Sequence, residues 1–472
     1  MTLRGSGLLP LGAVLLLAAL VVGGATMLSL QDDGSTVDAF ESGVGALAAV
    51  GIVVLSFTVR PAWPLSLGLA AAAFSGHWGD MGIPVAVDRL LLVSAIAAVL
   101  LREARARSHA LRSEPVHWLL AVVGLYALIS AVLVGALDDE VARFALLDRF
   151  SLVAFGLFFV APVAFRDPVD RQILLGVLVA LGAYLGLTAL VETVGPRGLL
   201  FPRYIDDPAV GIHFDRARGP FTESVGNGLV MCACGFAAGI AALTWRDRRL
   251  RALAALVVGL CALGALLTIT RAVWLGAIVG TVALLASTGQ TRRYLGPALV
   301  LGLVTVLAAF AVIPGLGSRA EARTNDDRPL WDRQNSNAAA ARMLAERPTL
   351  GFGWGEFRLK SLAYYRQGPD YPLTFVTDVH NVYLANAVEL GVLGASLWLL
   401  ALLIVVTTGI RLRGPPELRP WKIGLVGVAA GYLVAAATTP LAFTLPTLLL
   451  WTWAGLARGP RTAILPPAAV RG

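Results

Sequence analysis

Apolar runs of about twenty residues recur along the whole chain, and each is long enough to cross a bilayer as a helix. Two of these runs, 8–30 and 382–410, together hold one charged residue, Glu389. Only 14% of the 472 residues are charged, whereas soluble domains carry about 25%. The sequence therefore predicts an all-α polytopic membrane protein.

We expect about 12–14 transmembrane helices, because fourteen segments have the length and composition of a span. These segments are 8–30, 43–59, 63–77, 86–101, 116–137, 149–165, 172–194, 221–244, 252–268, 272–288, 294–314, 381–409, 421–438 and 440–457. The third is short and begins among prolines, so it is either re-entrant or a full span, and the fourth is short too. The first resembles a signal peptide, but other spans follow it, and we interpret it as an uncleaved helix.

Lysine and arginine concentrate in alternate loops, which predicts that both termini are cytoplasmic. The acidic segment 31–42 would then lie outside, as would one long, partly helical loop, 315–379. This topology divides the chain into helices within 1–314, the outer loop 315–379, and a C-terminal part, 380–472. The net charge of +8 is spread over short loops and does not indicate nucleic-acid binding.

The long loop carries turn and helix signals. Pro348 would end an Ala-rich helix, and the glycines of 351–355 predict a tight turn after it. Three residues offer N-caps for that helix: Asn335, Ser336 and Asn337.

Three arginines of the predicted outer surface suit an anionic ligand. Arg216 and Arg218 flank the turn at Gly219, and a guanidinium offers a fixed fork of donors for phosphate. Arg271 is the one charged residue between two apolar runs. The alternative is that these arginines anchor at the interface or pair with nearby carboxylates.

A histidine and a glutamate mark the start of the twelfth span. His380 titrates near neutrality and can accept a proton from a hydroxyl, although an interfacial histidine also caps helices. Glu389 lies deeper in the same span, where an ionisable residue is functional or paired. We find no carboxylate pair at the outer surface suited to a divalent metal.

Four local patterns, in this order, resemble those of the O-antigen ligase and O-antigen polymerase superfamily. They are R-A-R-G-P-F…N, T-R-A-V-W-L-G, D-R-Q-N…R-M-L-A-E-R-P-T-L-G-F-G-W-G-E-F, and H-N-V-Y-L…E-L-G-V-L-G. The order of the spans and the late, long outer loop resemble that superfamily as well.

The resemblance implies a metal-independent, inverting glycosyltransferase without a cofactor. Its donor would be a glycan on undecaprenyl pyrophosphate, and its acceptor a hydroxyl at the outer face of the cytoplasmic membrane. His380 matches the family's base, and Arg271 matches an arginine that holds the donor pyrophosphate. Arg216 matches a second such arginine by its distance from Gly219, with Arg218 as its competitor.

Four further residues are expected in supporting roles: Glu223, Asn227, Arg333 and Asn381. The segment from Glu223 to Asn227 departs from the family's usual small-residue-Pro-Asn pattern. The sequence does not choose between ligase and polymerase. A lipid-linked glycan flippase is the alternative from another class, and a non-catalytic assembly protein is a third.

Overall fold

The computed structural model describes residues 34–106, 111, 113–325, 328–366, 378–411 and 415–459. Within these ranges the chain forms eighteen α-helices, joined by loops and short 3₁₀ or π-helical turns, and no strand. In chain order the helices are α1 (Gly34–Thr58), α2 (Ala62–Ala71), α3 (Val87–Arg105), α4 (Pro115–Leu133), α5 (Glu140–Phe144), α6 (Leu152–Ala164), α7 (Pro168–Val194), α8 (Ser224–Thr244), α9 (Arg248–Leu267), α10 (Arg271–Ala286), α11 (Gly289–Arg292), α12 (Leu295–Val312), α13 (Leu316–Asn325), α14 (Arg328–Glu346), α15 (Glu356–Lys360), α16 (Val382–Arg411), α17 (Arg419–Thr438) and α18 (Thr444–Arg458). The all-α prediction is confirmed.

Each predicted span from 43–59 onward coincides with a helix, while the first predicted span, 8–30, lies outside the described residues. Eight helical segments of the described chain are long and apolar enough to cross a membrane unaided. They are α4, Glu140–Ala164, α7, α8, α9, α12, α16 and Pro416–Thr438. Shorter apolar helices occupy Gly45–Thr58, Ala62–Phe74 and Arg271–Ala286. The chain is a multi-pass membrane protein.

The third predicted span is a short helix enclosed by protein. Helix α2 has ten residues, about 15 Å of rise against a hydrocarbon core of about 30 Å. Its Gly68 packs so tightly that a Cβ would lie 2.8 Å from the side chain of Leu92 in α3.

Contacts divide the described loops into two sets, one at each end of the bundle. At the first end Arg60 pairs with Asp170 at 3.4 Å, and Arg102 donates to the Phe57 and Val59 carbonyls. Glu114 pairs with Arg458 there as well. At the second end His77 contacts Thr222, Ala217 contacts Leu267, and Arg358 pairs with Asp378. Loops that the sequence assigns to one side thus contact one another.

Glycines allow the close approach of α10 and α17. Gly276 and Gly280 of α10 face Gly431 and Gly427 of α17, in antiparallel order. A Cβ on Gly280 would lie 2.7 Å from the Gly427 carbonyl oxygen. Because lipid provides no hydrophobic drive between helices, such small residues let the backbones pack directly. This contact sets the position of Arg271, the first residue of α10, along the axis of α17.

Helix α14 begins earlier than predicted. The structure starts it at Arg328, with Pro329 in its first turn, where a proline is well tolerated. Asn335, Ser336 and Asn337 therefore lie inside the helix and are not its N-caps. Asn335 instead binds the backbone of Arg366 through both amide atoms, at 3.0 and 3.3 Å. The prediction that these three residues cap the helix is therefore wrong. The side chain of Asn335 instead joins α14 to the backbone of Arg366 within the long loop.

Helix α16 is broken at Gly391. Its backbone there has φ 68° and ψ 174°, which no L-residue adopts without strain. The carbonyls of Val388, Glu389 and Leu390 lose their helical partners at the break. They accept hydrogen bonds from Phe352 N at 2.9 Å, Gly353 N at 2.9 Å and Tyr126 OH at 2.9 Å, respectively.

The segment 348–353 also supplies the acceptors that the break requires. Val392 N donates to the Pro348 carbonyl at 2.8 Å, and Leu393 N reaches the Thr349 carbonyl at 3.5 Å. The carboxylate of Glu389 accepts hydrogen bonds from the backbone of Gly355 and Phe357. The expected pairing of Glu389 is therefore with the backbone of the glycine-rich turn.

We predict that Gly391→Ala destabilises the protein. A Cβ at this position would lie 2.0 Å from the Thr349 carbonyl oxygen. The left-handed backbone adds about 1–2 kcal/mol for an L-residue, and overpacking adds about 1–3 kcal/mol. Thermal unfolding of purified protein in detergent should show a lowered melting temperature.

Gly239→Ala is the matched control, because a Cβ there meets nothing within 4 Å. Alanine is favoured over glycine in a helix by about 1 kcal/mol. Equal melting temperatures for the two variants would contradict the role of Gly391.

Candidate functional site

The loop that carries Arg216 packs on the turn that carries Arg271. Ala217 N donates to the Leu267 carbonyl at 3.2 Å. The hydroxyls of Ser224 and Thr270 lie 2.9 Å apart, which joins the first turns of α8 and α10. The two sequence patterns, more than forty residues apart in the chain, therefore form one surface at the second end of the bundle.

Arg216 lies in this surface beside an acidic residue. Its side chain is 6% exposed, and its Nε is 3.9 Å from Asp215 Oδ1. Its charge also acts on Glu223. Burial raises the pKa of the Glu223 carboxyl, while hydrogen bonds from the backbone of Gly226 and Val225 and the charge of Arg216 oppose that rise.

Arg218 is part of the interior of its own loop. Its side chain is fully buried, and its terminal nitrogens donate to the carbonyls of Ile205, Asp207 and Val210. The guanidinium also lies 4.8 Å from the ring centre of Phe214. These contacts stabilise the 205–210 segment. The guanidinium is thus directed at backbone carbonyls, which favours a structural role for Arg218, and its binding of the donor stays a prediction.

Two buried polar side chains hold the turn between the arginines and α8. Glu192, near the end of α7, accepts hydrogen bonds from Gly219 N at 2.9 Å and from Arg218 N at 3.4 Å. Asn227 of α8 donates to the Ala217 carbonyl at 3.1 Å. Glu223 caps α8 by accepting from Gly226 N at 2.9 Å. Glu223 and Asn227 therefore stabilise the loop. Glu192 does so too, although the sequence alone suggested no such role for it.

Arg271 is exposed and begins α10. The side chain of the N-cap residue Thr270 does not cap this helix. The preceding residue, Ile269, has φ 46°, a strained conformation of the kind found at functional sites. A cationic side chain and the positive end of a helix dipole thus coincide here.

Helix α17 brings His380 to the same end of the bundle. The Tyr383 hydroxyl donates to the Leu433 carbonyl at 3.0 Å, two residues from the glycine that faces Gly276. Both α10 and α16 run antiparallel to α17 from this level. Arg271 and His380, at their starts, therefore lie towards the same end of α17.

His380 is half-buried, and its Nδ1 has no hydrogen-bond partner in the described part of the chain. Burial lowers the pKa of this imidazole, and the positive charge of Arg333 lowers it further. A hydrogen bond to the backbone of Asp378 and the charge of its carboxylate oppose the shift. The ring is accordingly neutral at neutral pH and can accept a proton.

The remaining expected residues surround His380. Arg333 lies within electrostatic reach of it from α14. Asn381 caps α16, since its side-chain oxygen accepts from Leu384 N at 3.1 Å. A small apolar cluster packs α14 and the glycine-rich turn against the start of α16: Ala340, Met343, Phe352, Phe357, Val379 and Val388.

Sequence reasoning missed Arg149. Its NH1 donates to the Leu441 carbonyl at 3.2 Å, and the carboxylates of Asp378 and Glu389 act on it. It lies in the π-helical segment Ala145–Phe150, and such segments recur at functional sites. An arginine at the start of a predicted span was a visible signal, but its partners are almost 230 to 290 residues away in the chain.

No group of three or more His, Cys, Asp or Glu side chains among the described residues is placed to hold a metal ion. The three cysteines are free.

Residues 255–399 match the family described as O-Antigen ligase. The matched segment contains Arg271, Arg333, His380 and Asn381, whereas Arg216 precedes it. No curated protein matches the chain. This match, on a helical membrane bundle, supports the resemblance to the O-antigen ligase and O-antigen polymerase superfamily.

Proposed function

We propose that the protein transfers or polymerises a glycan from undecaprenyl pyrophosphate to an acceptor hydroxyl at the outer face of the cytoplasmic membrane. The match of residues 255–399 to the O-antigen ligase family supports a ligase or polymerase role. The observation that carries the proposal is the joining of the Arg216 loop to the Arg271 turn, at the end of the bundle where His380 lies.

In this proposal Arg216 and Arg271 bind the donor pyrophosphate. Negative charge develops on the pyrophosphate as the bond to the anomeric carbon breaks, and two guanidinium groups stabilise that charge. The positive end of the α10 helix dipole adds to the field at Arg271. These groups supply the stabilisation that a divalent metal gives elsewhere, so we propose a metal-independent reaction without a cofactor.

His380 is the proposed base. It takes the proton of the acceptor hydroxyl while the hydroxyl oxygen attacks the anomeric carbon opposite the leaving pyrophosphate, which inverts the configuration. Arg333 keeps the imidazole neutral, and Asn381 holds it at the start of α16. Glu223 and Asn227 support the donor site by fixing the first turn of α8.

A flippase would need polar groups along a path through the whole bilayer. The candidate site residues Arg216, Arg271, Arg333 and His380 instead lie towards one end of the bundle, which favours an enzyme.

We propose that this end faces outward and that both termini face the cytoplasm. The alternation of basic loops supports this orientation. The proposed divisions of the chain remain 1–314, 315–379 and 380–472.

Labelling tests the orientation at Leu359, which is 73% exposed. With the native cysteines replaced, Leu359→Cys should react with a membrane-impermeant maleimide in intact cells, because 315–379 lies outside. Arg246→Cys, in a loop at the opposite end, is the control and should react only after permeabilisation. The reverse pattern of labelling would contradict the orientation and the outward site.

His380→Ala and Arg271→Ala test the assigned roles. We expect His380→Ala to bind undecaprenyl pyrophosphate normally but to transfer glycan about 10²–10⁴-fold more slowly, because the base acts after donor binding. Arg271→Ala should weaken both donor binding and transfer, and Arg271→Lys should restore them only in part, because an ammonium lacks the fork.

The measurements are lipid affinity and single-turnover transfer, in a chelator, on variants whose folding is verified by gel filtration. Transfer at the wild-type rate by His380→Ala would remove the base from the mechanism. Activity that needs added magnesium or manganese would refute metal independence.

Arg333→Gln tests the electrostatic support of His380. Removing the positive charge raises the pKa of the imidazole, and a base must be neutral to act. The fall of the transfer rate at acidic pH should therefore begin at a higher pH than in the wild-type protein. Arg319→Gln, in α13, is the charge-matched control, and identical pH–rate profiles for all three proteins would exclude a role for Arg333.

A further inference from the structure

A cavity of about 380 Å³ opens at the second end of the bundle, beside the first turn of α8. Its walls come from the end of α2, the 211–212 segment, the start of α8 and the loop before α18. His380 is not among its lining residues. The cavity is thus a feature that the mechanism above does not use.

His77 presents a hydrogen-bond acceptor at this cavity. Its Nδ1 lies 2.7 Å from Asp80 Oδ2, and its Nε2 lies 3.1 Å from Thr222 Oγ1. Because a carboxylate accepts, Nδ1 carries the proton in the neutral ring, and the lone pair of Nε2 then faces the Thr222 hydroxyl. That hydroxyl can donate instead to the Phe221 carbonyl oxygen, 2.7 Å away, which leaves Nε2 to accept from a ligand hydroxyl. Tyr204 stacks on the ring at 4.5 Å between centres, which fixes its plane.

The wall that adjoins His77 is acidic and strained. Glu223 lines the cavity with its buried carboxylate, another group of acceptors. Thr222 has φ 51°, and a β-branched residue in this conformation is a genuine outlier. Gly211 is required beside it, since a Cβ there would lie 2.3 Å from the Thr222 carbonyl oxygen. Strain of this kind persists where the surrounding structure holds a site in shape.

The chemistry of the lining selects a neutral ligand with hydroxyl groups. The carboxylates of Glu223 and Asp80 disfavour an anion, whereas the acceptors at His77 and Glu223 suit O–H donors. Phe221 and Phe443 add aromatic surface, with ring centres 6.4 Å apart. A sugar ring combines these properties, because its hydroxyls donate at its edge and its C–H faces pack on aromatic rings.

Arg216 connects the cavity with the proposed donor site, since its charge acts on Glu223. The first sugar of a lipid-linked donor is bonded directly to the pyrophosphate, so it must lie within a few ångströms of any group that holds that pyrophosphate. We propose that this cavity is the subsite for the sugar attached to the donor pyrophosphate, with His77, oriented by Asp80, and Glu223 as its hydroxyl acceptors. The assignment rests on the proposed function and names a subsite within it.

Two kinds of lipid separate recognition of the sugar from recognition of the pyrophosphate. The probes are undecaprenyl pyrophosphate alone, and undecaprenyl pyrophosphate bearing glucose, galactose, N-acetylglucosamine or N-acetylgalactosamine. The wild-type protein in nanodiscs should bind at least one sugar-bearing lipid about tenfold more tightly than the sugar-free lipid, a gain typical of one or two new hydrogen bonds.

His77→Phe keeps a ring against Tyr204 but removes the acceptor. We expect it to lose the preference for the sugar-bearing lipid and to bind the sugar-free lipid as the wild-type protein does. Asp80→Ala should reduce the preference in part, because it frees the orientation of the imidazole. His117→Phe, a histidine at the opposite end of the bundle, should retain the full preference.

The subsite would be overturned if the wild-type protein showed no preference for any sugar-bearing lipid. It would also be overturned if His77→Phe kept the full preference, or if His77→Phe lost affinity for both kinds of lipid equally. Failure of the proposed donor site gives a different result, in which Arg216→Ala and Arg271→Ala bind the sugar-free lipid as tightly as the wild-type protein.

Discussion

A backbone group inside a bilayer must find its hydrogen-bond partner within the protein, and the break in α16 shows how this constraint organises the fold. Three carbonyls and two N–H groups released around Gly391 are paired with Tyr126 and the 348–353 segment. The long loop is thereby tied into the membrane helix. Because His380 stands at the start of the same helix, the contacts that repair the break also hold the proposed base in place.

The cationic half of the site depends on a second set of constraints. Glycine contacts between α10 and α17 set the position of Arg271, and Glu192 and Asn227 fasten the turn that follows Arg216. The fully buried Arg218 organises the same loop from within. In the R-A-R pattern, Arg218 thus stabilises the loop. Arg216 lies beside Glu223 and the cavity.

The two halves meet through side chains that are distant in sequence. Arg149 donates a hydrogen bond to the carbonyl of Leu441, at the edge of the loop that lines the cavity. It also interacts electrostatically with Asp378, close to His380 in the chain. His77 approaches Thr222 from the loop that follows α2. These contacts lie at the end of the bundle where the proposed donor and acceptor sites are found.

The sequence by itself determined the helical membrane class, the positions of the long apolar helices and the residues that match the superfamily patterns, because apolar length and local patterns are properties of short segments. It did not determine the break at Gly391, the start of α14 or the different fates of Arg216 and Arg218. It could not reveal that His77 faces Thr222, or that Glu192 holds Gly219. Each of these features depends on which backbone groups and side chains meet across the bundle, and only the tertiary structure decides those pairings.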